Sequence, residues 1–252
     1  IWASSFLPVF GGLQTASFQI VNYLVKNGWN VEIITNRYPR SLRKFEIVND
    51  FKISRFSFFH NPLQYICVGR IDLLLAWSFY KPYTLIRLIF YFIRSKPNIV
   101  NLHFPDHQLL ECYLLLIFFR FKLIISLHGN EVERMHALPK RSVKYYLYNK
   151  LFKSADSITG CSESLIKEFQ GIFSNISTNK CFPLYNGVDK VFLTKELKNN
   201  KSDYVFCAAR FVPKKGLDLL AKATCKGTQL LIAGGDEKDF LSLGLKNREG
   251  II

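Results

Sequence analysis

One arginine and one lysine lie five residues apart near the end of the chain, at Arg210 and Lys215. The apolar run 204–208 predicts a strand that ends just before Arg210, and the periodic run after Gly216 predicts a helix. At such a strand–loop–helix junction a guanidinium, an ammonium and unpaired helix N–H groups converge, and this combination binds anions. The pair is typical of a diphosphate site, although two solvated surface charges would look the same.

Four further residues, earlier in the chain, could contact a substrate. Gly11 and Gly12 precede a predicted helix, and residues without side chains let backbone N–H groups approach a phosphate or a sugar closely. His128 follows a buried apolar strand, at the sheet edge where ligands bind in α/β proteins. The alternatives are an ordinary tight turn at the glycines and a histidine bonded to a backbone carbonyl. Glu131 either faces the same cleft or caps the next helix.

His103 and His107 are four residues apart, a spacing that invites a metal-ligand interpretation. Pro105 between them favours a loop and a helix start instead of one helical face, and no carboxylate or cysteine cluster completes a metal site. We therefore expect no bound metal, a cleft-lining position for His103 and a structural role for His107.

The hydrophobic periodicity predicts an α/β fold with parallel sheets. Strands are predicted at 31–35, 98–103, 122–127 and 157–160, a pair of short strands within 45–59, and helices at 15–27, 108–119, 139–153 and 163–169. Short apolar strands that alternate with helices indicate a parallel sheet covered on both faces.

The same pattern restarts later in the chain. A lysine-rich polar run, 192–202, predicts a linker between a first domain, 1–191, and the start of a second, 203–252. In the second domain we expect a strand at 204–208, a helix at 217–224 and a strand at 229–233, followed by Gly234 and Gly235 as further cleft-lining candidates. The chain is expected to be a piece of a longer protein that lacks its first strand and most of its last domain.

Composition limits the class of protein. The chain has 252 residues, 49% of them hydrophobic, and a net charge of +15, which suits a basic globular protein. Dispersed basic clusters beside aromatic residues suit an anionic membrane surface, and no recognisable nucleic-acid motif accompanies the charge. Six cysteines without C-x-x-C spacing fit a reduced cytoplasmic setting, with disulfides still open. The apolar window 73–93 contains charges and Pro82, so it predicts two helices broken at Lys81-Pro82 and no membrane span.

These segments, in this order, resemble the retaining glycosyltransferases of family 4, which have the GT-B fold of two Rossmann-like domains. The resemblance covers nearly the whole chain and rests on four segments, at 8–13, 126–131, 186–189 and 209–216. It implies that Gly11 and Gly12 face donor and acceptor, that His128 lies in the active site, and that Asn186 and Gly187 form a turn near the donor. It also implies that Arg210 and Lys215 bind the donor diphosphate.

Two departures from the family pattern concern the donor. Tyr185 stands where the family has a proline before the asparagine. The family also carries two glutamates eight positions apart in its second domain, and no two glutamates in this chain have that spacing. We therefore expect the second domain to be truncated and these residues alone to be inactive.

The resemblance implies transfer of a sugar from a nucleotide-diphosphate sugar to a hydroxyl, with retention and without any cofactor beyond the donor itself. The acceptor is expected to be a glycan or a lipid-linked precursor of a surface polysaccharide, made in the cytoplasm with peripheral attachment to the inner face of the plasma membrane. Two alternatives stay open. One is a nucleotide-sugar epimerase or phosphorylase of the same fold, which would need additional cleft carboxylates or a cofactor lysine. The other is a non-catalytic basic module that binds membranes.

Overall fold

The structure is a computed structural model that describes residues 1–9, 11–58, 69–188, 204–225 and 227–235. The chain separates into two compact units, Ile1–Val188 (unit 1) and Asp189–Ile252 (unit 2). The predicted linker, 192–202, lies outside the described residues.

Unit 1 is built on one eight-stranded sheet in the order β3-β4-β2-β1-β5-β6-β7-β8. Every pair of neighbours is parallel except β3 and β4, which are antiparallel. The strands are β1 Trp2–Ala3, β2 Glu32–Asn36, β3 Phe45–Val48, β4 Phe51–Phe56, β5 Ile99–His103, β6 Lys122–Leu127, β7 Ser157–Gly160 and β8 Cys181–Pro183.

Helices connect these strands and cover the sheet. They are α1 Gly12–Lys26, α2 Ile71–Ser95, α3 Leu109–Phe118, α4 Asn130–His136, α5 Val143–Ser154 and α6 Glu163–Ile172. Adjacent strand residues point to opposite faces, and both faces are buried: Ile33 packs in the cluster beside α1, whereas Ile34 packs in the larger cluster on the other face. The predicted parallel sheet with two covered faces is confirmed.

Two sequence-based predictions about these elements are wrong. Trp2 and Ala3 form a short central strand that pairs with β2 on one side and β5 on the other, so the first strand of the sheet is present. The helix α2 runs without a break from Ile71 to Ser95, with Pro82 inside it. A proline in this position removes the hydrogen bond to the carbonyl of Ser78, but both residues are exposed, so water can satisfy that carbonyl.

Tertiary contacts hold α2 in place on both sides of its proline. The Thr84 hydroxyl donates to the carbonyl of Ser57 at 3.0 Å, and Leu88 and Phe92 are completely buried. The Lys81 ammonium lies 2.6 Å from the Glu111 carboxylate of α3, and both side chains are largely buried. These contacts outweigh the local cost of the proline.

Unit 2 consists of β9 Tyr204–Ala208, a 3₁₀ turn Pro213–Lys215, α7 Leu217–Ala223 and β10 Gln229–Ala233. The two strands are parallel, with Ala208 paired to Ala233. Leu217, Ala221 and Leu230 form the small core of this unit. The predicted strand–helix–strand unit is confirmed.

Candidate active site

The carboxyl ends of β5 and β6 bring two histidines together in unit 1. His103 is the last residue of β5 and pairs with Ser126, so His128, just past the end of β6, lies beside it. Nδ1 of His103 is 3.0 Å from Nε2 of His128, and the two rings are stacked with centroids 5.2 Å apart. Ser17 of α1 places its hydroxyl 3.3 Å from the same Nδ1 atom. The helix that follows the Gly11-Gly12 loop is therefore in direct contact with the histidine pair.

Burial keeps both imidazoles neutral. The pKa of His128 is lowered to about 4 by desolvation, and the pKa of His103 is lowered well below its ordinary value by desolvation and by His128. A neutral imidazole can donate one hydrogen bond and accept another, so His128 is suited to orient a hydroxyl or phosphate oxygen.

The position of His103 differs from the predicted one. Its side chain is 0% exposed, so His103 lies behind His128 and does not line the surface of the cleft. The sequence could place it at the sheet edge but could not show that α1 and His128 would cover it.

The Glu131 carboxylate turns back towards His128, and no side chain caps α4. Its Oε1 accepts a hydrogen bond from the backbone N–H of His128, and the side chain is buried at the start of α4. Desolvation raises the pKa of this carboxyl group. Gly129, the residue before α4, has φ of +121°, a conformation that residues with side chains rarely adopt. His128 is thus followed by a turn that needs a glycine.

The loop after β5 is held by an unusual number of side-chain contacts. Phe104 has φ of +53°, and the Gln108 amide donates to its carbonyl at 3.1 Å. Asp106 accepts hydrogen bonds from Arg134 at 2.9 Å and from Lys144 at 2.7 Å. The Tyr148 hydroxyl donates to the carbonyl of Pro105 at 2.9 Å. This loop presents His103 and the neighbouring backbone in one fixed arrangement.

The glycine loop precedes an uncapped helix. Gly11 is the N-cap of α1, no side chain caps this helix, and its first turn contains no acidic residue. A Cβ atom on Gly12 would meet nothing within 4 Å. The start of α1 therefore has open space at Gly12 and no capping side chain, which are features that an anion-binding helix N-terminus needs.

Residues not identified from the sequence position this loop. Arg55 is almost completely buried, donates to the carbonyl of Leu7 at 2.7 Å and forms an ion pair with Glu46 at 2.5 Å. Arg55 follows the buried Phe51 and Ile53 at two-residue spacing along β4, so the three side chains lie on the same face of the strand. This spacing could have indicated a buried arginine. Ser17 could have been found in the same way, as a polar residue beside Ala16 on the buried face of α1.

The segment with Asn186 and Gly187 does not form the predicted turn. Residues 184–188 are exposed and have no regular secondary structure, and Gly187 does not adopt a positive φ. The preceding residue, Leu184, donates its N–H to the carbonyl of Gly160 and so extends the pairing of β8.

In unit 2 the predicted anion-binding residues lie at the carboxyl end of the two parallel strands. Arg210 follows β9, Lys215 ends the 3₁₀ turn, and both side chains are exposed. Gly216 has φ of +64° and opens α7. Gly234 follows β10, and a Cβ atom there would collide with the carbonyl of Ala209. The structure therefore brings the Arg210 loop and the Gly234-Gly235 turn into close contact within unit 2.

The described residues contain neither a metal-binding cluster nor a membrane-spanning helix. No group of three or more His, Cys, Asp or Glu side chains within the described ranges could hold a metal ion. No helix in the described part of the chain is long and apolar enough to cross a membrane.

Comparison with known proteins gives the family of the chain. A model of Glycosyltransferase Family 4 matches residues 10–192. The match covers most of the chain, which therefore belongs to Glycosyltransferase Family 4. A search of curated protein sequences gives no match.

Solved structures of glycosyltransferases share the fold. Sucrose-phosphate synthase from Thermosynechococcus elongatus superposes with a TM-score of 0.65 at 16% identity, over 96% of this chain and 64% of that one. The UDP-forming α,α-trehalose-phosphate synthase from Burkholderia xenovorans, in complex with glucose-6-phosphate, gives 0.61 at 13% identity, over 96% and 68%. Os79 from O. sativa, in complex with UDP, gives 0.56 at 10% identity, over 100% and 71%. The fold is that of the GT-B glycosyltransferases, and the chain spans about two thirds of these structures.

Proposed function

We propose that the protein transfers a sugar from a nucleotide-diphosphate sugar to a hydroxyl group, with retention at the anomeric carbon. The observation that carries the proposal is the cluster at the sheet edge of unit 1, in which a neutral His128 contacts His103, and His103 in turn contacts Ser17 of the uncapped helix α1. UDP in the Os79 structure supports a nucleotide-sugar donor here, and glucose-6-phosphate in the UDP-forming trehalose-phosphate synthase structure supports an acceptor that carries a sugar.

In the proposed reaction the bond between the anomeric carbon and the donor phosphate oxygen breaks. The acceptor oxygen forms the new bond on the same face of the sugar, and its proton passes to the departing phosphate oxygen. Arg210 and Lys215 stabilise the negative charge that develops on the diphosphate. The N–H groups at Gly11 and Gly12 order the reacting groups, and His128 orients the sugar by a hydrogen bond.

The acceptor is proposed to be a lipid-linked or glycan precursor of a surface polysaccharide, at the cytoplasmic face of the membrane. The net charge of +15 and the exposed aromatic side chains support this choice. An epimerase of the same fold is less well supported, because the carboxylate next to His128, that of Glu131, already accepts the His128 backbone N–H.

The test is nucleotide binding and transfer by the full-length protein. Arg210→Gln and Lys215→Gln should each weaken UDP or GDP binding about 10-fold to 100-fold, since a hydrogen bond to a charged group contributes about 1.5–3 kcal/mol. Lys222→Gln is the matched control, because it removes one exposed positive charge from α7. The anomeric configuration of the product, read by NMR against that of the donor, tests retention. Undiminished transfer by Arg210→Ala from every accepted nucleotide sugar would rule out the proposed donor site.

A further inference from the structure

A cleft of about 640 Å³ opens on unit 1 where β2 and β4 end. Arg37 comes directly after β2 and Ser57 directly after β4, so the cleft lies along the same edge of the sheet as His128. The rest of its wall comes mainly from the middle of α2. Its charged and aromatic lining residues are Arg37, Lys44, Arg87, Phe79, Tyr80 and Tyr83.

The cleft is cationic without any compensating acid. Its lining contains three basic side chains and no carboxylate, and no described carboxylate forms a salt bridge with Arg37, Lys44 or Arg87. The Arg37 Nε donates to the carbonyl of Leu42 at 2.7 Å, which leaves its terminal amino groups available. Such a set of donors suits a group with several anionic oxygens, above all a phosphate.

Arg87 is held in place by aromatic rings. Its guanidinium lies 4.8 Å from the centroid of Phe56 and 5.8 Å from that of Tyr83. Stacking on these rings fixes the plane of the guanidinium while its N–H groups stay free to bind at the edges. The site is therefore partly organised before any ligand arrives.

An exposed apolar stripe runs along α2 and passes the mouth of this cleft. Its members follow at spacings of three and four residues, each with at least half of its surface exposed: Ile71, Leu75, Phe79, Tyr83, Ile86, Phe90 and Ile93. The stripe is about 33 Å long at the rise of an α-helix. Phe79 and Tyr83 belong to both the stripe and the cleft, so the cationic site opens onto an apolar track.

We infer that the cleft binds the phosphate group of a lipid, whose hydrocarbon part lies along the α2 stripe. A phosphate at the end of an apolar chain satisfies both halves of the surface at once, whereas a soluble sugar phosphate would leave the stripe uncovered. A second copy of the chain is disfavoured, because two molecules of net charge +15 would repel each other and neither stripe would offer acid to the other's cleft. The inference deepens the proposed function and rests on it for one point, that this lipid carries the acceptor.

The experiment is flotation of the full-length protein with vesicles of phosphatidylcholine alone and of phosphatidylcholine with phosphatidic acid. The wild type should bind the phosphatidic acid vesicles, and Arg37→Gln/Arg87→Gln should bind them about 25-fold more weakly, since each basic side chain near an anionic surface contributes about fivefold. Lys44→Gln should weaken binding about fivefold, and because the Lys44 side chain is exposed, we expect this variant to fold normally. Phe79→Ser/Phe90→Ser should weaken binding more than tenfold.

Two controls match these changes in charge and exposed apolar area. Lys26→Gln/Lys167→Gln removes two positive charges from α1 and α6, and Tyr23→Ser/Phe118→Ser removes two side chains that are 68% and 67% exposed. Both should bind vesicles within about twofold of the wild type. Equal losses of vesicle binding in the control and cleft variants would overturn the inference, because binding would then depend on net charge and exposed apolar area and not on the cleft.

Soluble glycerol phosphate separates a lipid from a free phosphate ester. It should compete with vesicles weakly, since it lacks the apolar part. Full competition together with normal binding by Phe79→Ser/Phe90→Ser would overturn the lipid assignment in favour of a small-anion site. UDP and GDP titrations on the same variants should match the wild type. Absence of nucleotide binding in the wild type would contradict the proposed function but would not affect the vesicle result. Nucleotide binding without selective binding to phosphatidic acid vesicles would contradict only this inference.

Discussion

His128 owes its chemistry to the residue behind it. Its Nε2 atom is 3.0 Å from Nδ1 of the fully buried His103, and the Ser17 hydroxyl contacts the same Nδ1 atom. One ring must donate and the other accept, so His103 and Ser17 together restrict the tautomer and the ring orientation of His128. His103 is thus a positioning residue, one layer removed from any substrate.

The buried histidines predict a loss of stability in acid. In the unfolded chain histidine titrates near its ordinary pKa of 6.5, whereas the pKa of His128 in the fold is about 4. Between these values the unfolded chain binds more protons than the folded one, so the unfolding free energy falls as the pH drops. The expected slope is about 1.4 kcal/mol per pH unit for each buried histidine. It is measured by urea unfolding of the full-length protein at a series of pH values.

The variant that isolates this effect is His128→Gln. The pH dependence of its unfolding free energy should be smaller than that of the wild type by the contribution of about one proton. The comparison with the wild type is needed because burial raises the pKa of Glu131, and that carboxyl group contributes a slope of opposite sign in the same pH range. The matched control is His136→Gln, which makes the same substitution at an exposed histidine away from the His103–His128 pair. Identical slopes in the wild type and His128→Gln would contradict burial of a neutral His128.

At this scale the sequence was informative wherever a residue follows a buried strand. His128 and Arg210 could be placed at sheet edges, because each comes just after an apolar run that could only be a strand. The roles of Ser17, Arg55 and Asp106 could not be assigned in the same way. Their contacts with His103, Leu7 and Arg134 span 28 to 86 residues of the chain, and only the packed structure brings these groups together.

At the scale of elements, alanine substitutions at two glycines near helix starts should have opposite effects on stability and transfer. Gly12 opens α1 with free space around its Cα, whereas Gly129 precedes α4 with φ of +121°. Gly12→Ala should leave the unfolding free energy within about 0.5 kcal/mol of the wild type and still reduce transfer, because the new methyl group occupies the proposed ligand space. Gly129→Ala should destabilise by about 1–3 kcal/mol through backbone strain.

Urea denaturation and initial transfer rates on the two alanine variants check this pair of outcomes. Normal transfer by a fully folded Gly12→Ala would show that no substrate group comes close to the start of α1. Unchanged stability of Gly129→Ala would show that the turn after His128 does not require a glycine.

The sequence predicted most strands and helices of both units, because buried strands and amphipathic helices have distinct periodicities. It failed where tertiary structure overrides a local signal. Trp2–Ala3 is too short to show any period and is a strand only because β2 and β5 flank it. Pro82 is a strong local stop signal, yet Thr84, Leu88 and Lys81 anchor the helix on either side of it.

For the whole molecule, the two units can be followed by separate signals. All three tryptophans, Trp2, Trp29 and Trp77, lie in unit 1, so tryptophan emission reports the unfolding of that unit alone. Circular dichroism reports both units. A nucleotide diphosphate that binds the Arg210 loop should therefore shift at least the part of the circular dichroism transition that tryptophan emission does not share.

The expected stabilisation is about 2.7 kcal/mol at a free nucleotide concentration 100 times the Kd. Arg210→Gln/Lys215→Gln should abolish it. A parallel shift in tryptophan emission would indicate that the nucleotide also contacts unit 1, as the proposed role of Gly11 and Gly12 requires. No shift in either signal would contradict nucleotide binding altogether.

The ion pair between Lys81 and Glu111 has a mechanical consequence. Because both side chains are largely buried, separating α2 from α3 would leave an uncompensated charge in the interior, at a cost of about 3–5 kcal/mol. Outward movement of α2 is therefore strongly disfavoured, and a molecule that rests on its apolar stripe should keep one orientation. The distance between His128 and the lipid headgroups is then fixed by the structure of unit 1. Unit 1 would then select acceptors by the length of the spacer between their lipid and their reacting hydroxyl.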